Sequence, residues 1–151
     1  MHDLVIRSMR RNEVDWAVDL AANEGWNPGL NDAATFFAQD PEGFLVGLLH
    51  EAPVCCISAV SYGDSFGFIG FYIVEALHRG KGFGLHIWNA AVERLQGRVI
   101  GLDGVPAQQH NYRKSGFDYQ YGNIRFEYQP EQAAPPQALS EPLSSRISCL
   151  Q

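Results

Sequence analysis

Between Phe66 and Leu95 the chain places an apolar strand, a glycine turn and a helix in immediate succession. The strand reads Phe66-Gly67-Phe68-Ile69-Gly70-Phe71-Tyr72-Ile73-Val74, rich in the aromatic and β-branched residues that suit a buried strand. Phe83, Ile87, Trp88, Ala91, Val92 and Leu95 recur at helical spacing and define one apolar face. Between them lies Arg79-Gly80-Lys81-Gly82-Phe83-Gly84. Glycines without Cβ atoms let backbone N–H groups approach a ligand. The helix start adds free N–H donors and the positive end of the macrodipole. With Arg79 and Lys81 beside them, these parts describe a site for phosphate or pyrophosphate.

Residue order separates the proteins that build such a turn. A nucleotide-hydrolase loop needs Ser or Thr directly after Gly-Lys to hold magnesium, and here Gly82 follows Lys81. A dinucleotide-binding turn needs a third glycine where this chain has Leu85, although Asp103 ends a strand-like run at about the distance expected of a ribose-binding acid, roughly 20 residues on. That reading implies an NAD-linked oxidoreductase. The order Arg79, Gly82, Gly84 instead resembles the acyl-CoA pyrophosphate loop of the GCN5-related N-acetyltransferases, whose pattern is Arg/Gln-x-x-Gly-x-Gly/Ala. A surface turn with no ligand is the plain alternative.

In chain order, Leu4 to Met9 alternates as a half-buried strand does. Asn12 is positioned to cap a helix through Ala22, with Val14, Ala17, Val18 and Ala21 inward. A run of breakers follows, Glu24-Gly25-Trp26-Asn27-Pro28-Gly29, whose tryptophan either covers the core edge or lines an acceptor pocket. Asn31 or Asp32 caps a short helix over Ala33 to Ala38. Gly43 to His50, Val54 to Tyr62 and Phe66 to Val74 then form an antiparallel meander, with turns at Glu51-Ala52-Pro53 and Gly63-Asp64-Ser65. Arg98 to Leu102 is reached by a helical crossover and so lies parallel to the third meander strand. Pro106 opens a helix over Ala107 to Ser115, closed by Gly116. Phe117–Tyr121 and Ile124–Tyr128 alternate around Gly122-Asn123 and predict a terminal hairpin. From Gln129 to Gln151 the composition turns to Pro, Gln, Ala and Ser without apolar period, which predicts a tail. The expected organisation is one domain over 1–128 and a tail over 129–151.

A net charge of −6 argues against non-specific nucleic-acid binding, which needs a basic face. Asp3, Arg7, Arg10, Arg11, Glu13 and Asp15 break every apolar run near the start, and no apolar run approaches a membrane span. Cys55, Cys56 and Cys149 give an odd count with no spaced framework, so the expectation is reduced thiols in the cytoplasm. The five histidines show no ligand spacing with cysteine or carboxylate, and no metal is expected.

A second motif strengthens the acetyltransferase resemblance. Tyr112 lies four residues before Gly116-Phe117, as in that family's late helical motif. The order of elements matches too, over roughly Leu4 to Tyr128. The resemblance implies an α/β (α+β) class with a mixed, mostly antiparallel sheet, flanking helices and a splayed parallel strand pair. It implies an acetyl-CoA-dependent N-acetyltransferase. Backbone groups at Tyr72, Ile73 and Val74 would meet the pantetheine arm, and Arg79, Gly80, Lys81, Gly82, Phe83 and Gly84 the pyrophosphate. Asn111 and Lys114 would lie near the cofactor, and Glu24 and Trp26, with Tyr62, near the acceptor.

Direct attack on a thioester needs a neutral amine and a proton for the departing thiolate. Tyr112 matches the family's donor, and an ordinary phenol pKa of about 10 suits that task. The base is open: Phe66 to Val74 contains no acid, which leaves Glu75, Glu24, Asp64, His110 or a chain of waters. That gap keeps a non-catalytic acyl-CoA sensor as the alternative. The acceptor, a small-molecule or protein amine, and the choice between monomer and homodimer are not legible.

Overall fold

A computed structural model of the protein describes residues 4–124. Residues up to Tyr119 belong to one compact unit; of the second unit, only residues 120–124 are described, without helix or strand. The sheet has five strands: β1 (Val5–Ser8), β2 (Phe44–Leu49), β3 (Ala52–Tyr62), β4 (Phe66–Val74) and β5 (Val99–Leu102). They lie side by side in sequence order, antiparallel from β1 to β4 and parallel between β4 and β5. The helices are α1 (Arg11–Asn23), α2 (Asp32–Gln39), α3 (Phe83–Arg94) and α4 (Gln109–Lys114). This is the mixed, mostly antiparallel sheet with one parallel pair that the order of elements predicts.

Both faces of the sheet are covered, and each cover has its own core. On one face α3 packs Phe83, Ile87, Trp88, Ala91 and Leu95 against Leu45, Val54, Cys55, Ile57 and Ile69. On the other, Val14, Ala17 and Ala21 of α1 and Ala33 of α2 pack against Phe44, Val46, Cys56, Val60 and Ile73. Adjacent Cys55 and Cys56 therefore point to opposite faces, both fully buried. Burial pushes the Cys55 thiol up to about 11 and Cys56 further still. Both act as small apolar side chains.

One buried polar cluster ties the layers together. Asp40, after α2, accepts hydrogen bonds from the Ser61 amide and hydroxyl at 2.8 and 2.7 Å and from Arg94 of α3 at 2.9 Å. Burial pushes this carboxyl up, but Ser61 and Arg94 together outweigh it and hold it below its ordinary value. On the edge strand β1, Arg7 grips Glu13 with two bonds of 2.7 Å, and the same carboxylate accepts the Arg10 amide at the start of α1.

Some sequence expectations shift. The cap of α1 is Arg10 rather than Asn12, because Glu13 reaches back to the Arg10 amide and so sets the first turn two residues earlier. The β2–β3 turn is His50-Glu51, both with positive φ (50° and 66°), while Ala52 and Pro53 already belong to β3. The helix after Pro106 begins as a 3₁₀ turn over Pro106–Gln108 and becomes α-helical only from Gln109. Phe117 to Tyr121 is not a strand. Phe117 packs on Trp88, but Tyr119 and Tyr121 are exposed, so no sheet face forms there. The second half of that hairpin, the domain boundary at residue 128, the tail and Cys149 lie outside the described residues.

Candidate functional site

Pairing between β4 and β5 runs from Phe66↔Val99 to Ile69↔Leu102 and stops there. β4 continues to Val74 on the edge of β3, while the chain after β5 turns away through Asp103 and Gly104. A cleft opens between the two strands, and Gly70 to Val74 form its wall on the β4 side. Backbone groups on an unpaired edge of this kind call for a partner.

A bulge sets which side chains face the cleft's α3 side. Cys56 pairs with Ile73 but Ser58 pairs with Gly70, so β4 carries one residue more than β3. The extra turn of backbone falls at Phe71, whose φ is +47°, and its carbonyl accepts a bond from the Cys56 thiol at 3.1 Å. Below the bulge Ile69 faces α3; above it Phe71 and Ile73 face α1 and α2, and Tyr72 and Val74 face α3. Without the bulge Tyr72 would point to the opposite side.

Tyr72 then meets α3. Its ring lies 5.4 Å from Trp88, which lies 5.7 Å from Tyr112 of α4 and 5.8 Å from Phe117. Tyr112 also covers Gly104, where a Cβ would stand 2.6 Å from its ring. Tyr112 thus sits at the β5 side of the opening, and Tyr72 at the β4 side. Burial raises the Tyr112 pKa above its ordinary value. Burial raises Tyr72 too, with further contributions from Tyr112 and Cys55. Both phenols therefore stay protonated through neutral pH.

The glycine turn begins after a 3₁₀ turn over Ala76–His78. Gly80 and Gly82 have φ of +75° and +86°, and a Cβ on either would meet nothing within 4 Å. Gly82 is also the cap residue of α3, and no side chain caps that helix end. Open space, bare first-turn amides and an exposed Lys81 are what a diphosphate requires. Gly84 differs: there a Cβ would stand 2.7 Å from the Tyr72 hydroxyl, so protein already fills that space. Phe83 is core, at 3% exposure, and offers the turn only its backbone.

Arg79 is turned away from the open side of the turn. Its Nε donates to the Val74 carbonyl at 2.8 Å and its Nη2 to Glu24 at 2.5 Å. Glu24 is the cap residue at the end of α1, so this pair joins the α1–α2 loop to the end of β4. Trp26, two residues on, packs against the α1–α2 core, which favours the core-edge reading. Glu75 lies 3.5 Å from His78 Nδ1, close enough to pair with a protonated imidazole but outside hydrogen-bond geometry. Asn111 and Lys114 are exposed on α4, and the Asn111 amide donates to Gln108 at 2.7 Å. The structure thus brings Tyr72, Trp88 and Tyr112 together, and Glu24 with Arg79. Trp88 and the side chain of Tyr72 are the members that sequence reading missed. The one small residue that makes room for either is Gly84, under the Tyr72 hydroxyl.

Residues 9–117 match the acetyltransferase (GNAT) family. The holothin acyltransferase of Pseudoalteromonas sp. (strain SANK 73390) is 40% identical over 111 residues, 74% of this chain and 36% of that protein. An uncharacterized Caenorhabditis elegans protein is 30% identical over 101 residues, 64% of this chain and 32% of that one. The chain therefore spans about a third of the length of these curated relatives. Among solved structures, a putative GNAT-family acetyltransferase from Xanthomonas campestris superposes with a TM-score of 0.67 at 16% identity, covering 84% of this chain and 95% of that one. A predicted acetyltransferase with acetyl-CoA from Clostridium acetobutylicum gives 0.60 at 14%, covering 82% and 96%. At those identities the likeness is one of fold. No helix among the described residues is long and apolar enough to cross a membrane.

Proposed function

The chain belongs to the acetyltransferase (GNAT) family, and on that premise we propose that it transfers an acyl group from acetyl-CoA to an amine by direct attack. The observation that carries this reading is the open glycine turn at the head of α3, directly beyond the point where β4 and β5 part. The amides of Gly80 to Gly84 and the Lys81 ammonium hold the diphosphate. The unpaired edge of β4 at Tyr72 and Ile73 holds the amides of the arm. Acetyl-CoA supplies an activated acyl thioester.

The remaining chemistry belongs to side chains of this chain. Tyr112 Oη keeps a proton at neutral pH, held by burial, at the β5 side of the cleft. Glu75, at the end of β4 beside His78, accepts the proton that the amine must lose. Asn111 and Lys114 border the cofactor's outer end. Similarity to a holothin acyltransferase supports acyl transfer; a small-molecule amine and a protein amine are the two acceptor classes.

The test has two stages. Calorimetry with CoA and acetyl-CoA reads binding, and release of free thiol from acetyl-CoA with a panel of amines reads turnover. Binding with thiol release on at least one amine is expected. Binding without release on any amine favours an acyl-CoA sensor, and no binding overturns the reading.

A further inference from the structure

Arg79 opens the glycine turn, and its position suggests a cation for the diphosphate. Its side chain does something else. Nε closes back onto the Val74 carbonyl, the last residue of β4, and Nη2 reaches Glu24 across 55 residues of sequence. Glu24 in turn is fixed by its place in the chain: its amide donates to Leu20 at the end of α1. The loop that follows is held at its start by the Gly25 and Trp26 amides, which donate to Ala22 and Ala21, and at its end by the Gly29 amide on Asp32; Glu24 is the residue that ties it to β4. Gly25 and Asn27 both take positive φ, 78° and 48°. Leu30 is fully exposed, and only Trp26 reaches the core.

We propose that Glu24 and Arg79 form a strut that fixes the α1–α2 loop to the end of β4, making Glu24 a positioning residue rather than an acceptor ligand. The strut rests on the acyl-CoA reading only for its consequence. The α1–α2 loop leaves the helix on one face of the sheet, and the glycine turn leads into α3 on the other. One guanidinium joins both to the strand whose edge forms the cleft wall. The turn then presents its amides and Lys81 to the diphosphate, while Arg79 stays on Glu24 and Val74 with ligand bound. Geometry favours this over a phosphate role, because releasing Arg79 would free the Val74 carbonyl and the Glu24 carboxylate at once.

The strut is tested on the full chain with Glu24→Gln, Arg79→Gln, the double variant and Lys81→Gln. Each is first checked for wild-type circular dichroism. Hydrogen exchange over residues 24–31 and CoA affinity by calorimetry are then measured. Glu24→Gln and Arg79→Gln should each speed exchange over 24–31 several-fold, and the double variant should go no further. The two should alter CoA affinity by the same factor, under threefold, while Lys81→Gln weakens it more. Unchanged exchange in either single variant overturns the strut. A tenfold loss of CoA affinity in Arg79→Gln alone also overturns it, and returns Arg79 to the diphosphate. Failure of the wild type to bind CoA sinks the acyl-CoA reading but leaves the exchange result standing.

Discussion

Gly82→Ala separates two reasons for a glycine. At φ of +86° a methyl group incurs the left-handed penalty of about 1–2 kcal/mol. Loss of glycine's freedom in the unfolded chain returns about 0.4–1 kcal/mol. The net destabilisation is about 1 kcal/mol, a fall in Tm of roughly 2–4 °C for a chain of this size. No clash adds to it, because nothing lies within 4 Å of that Cβ. CoA binding should suffer far more. On the proposed reading the methyl enters the space of the diphosphate, and affinity should drop at least tenfold, about 1.4 kcal/mol or more. Gly84→Ala is the internal control. There the new methyl meets the Tyr72 hydroxyl at 2.7 Å rather than open space. Its position inside α3 regains up to about 1 kcal/mol of helix propensity. It should alter stability slightly and CoA affinity less than Gly82→Ala does. Calorimetry with CoA on folded variants reads both. Wild-type affinity in Gly82→Ala would refute the reasoning, since the open side of the turn could not then be where the diphosphate sits.

Three further outcomes are expected. Tyr112→Phe keeps the ring on Trp88 and Gly104 but removes the proton, so thiol release should fall roughly 100-fold or more with CoA affinity retained; unchanged turnover in a steady-state assay removes Tyr112 from the chemistry. Asp40→Ala strands Arg94 and the Ser61 amide at a site only 7% exposed, and should cost about 3 kcal/mol in urea unfolding with the m-value unchanged. Arg7's guanidinium, working against burial and helped by the Arg10 amide, holds the Glu13 carboxyl down at about 2. A depressed carboxyl stabilises the fold above its unfolded value near 4.5, and that contribution drains away as pH falls towards 2. With 34% and 27% of the pair exposed to screening solvent, Glu13→Gln should remove about 1–2 kcal/mol at neutral pH and flatten the stability curve between pH 4.5 and 2. A variant that keeps the wild-type slope there would show that other carboxyls carry it.

Much of the scaffold was legible because each signal was local. The β4 run, the glycine turn and the α3 face all follow from period and turn chemistry, and the helical crossover alone dictates that β5 lies parallel to β4. The turn at His50-Glu51 was not legible, because two ordinary side chains adopt positive φ where glycine or asparagine would have announced it. The strand expected over Phe117 to Tyr121 was over-read, because alternation of aromatic residues predicts a strand only if one face has something to cover.

The bulge at Phe71 shows why the site was harder to read than the sheet around it. Alternation along β4 places Ile69, Phe71 and Ile73 on one face, and by that count Tyr72 should face α1 and α2. One extra residue opposite Ile57 reverses the parity for the rest of the strand. Tyr72 swings onto α3, its hydroxyl takes the space above Gly84, and its ring completes the row through Trp88 to Tyr112. The same irregularity carries Phe71 to the other face, where its ring meets Phe36 at 6.2 Å and Phe44 at 5.5 Å. A single positive φ therefore decides which phenols share the cleft, and it does so at a phenylalanine whose side chain gives no warning. The glycine pattern Gly82-x-Gly84 also divides by this route. Gly82 has open space on its outer side, whereas at Gly84 the Tyr72 hydroxyl fills the space a Cβ would take. Motif spacing treats those two positions alike; only the parity of the neighbouring strand tells them apart.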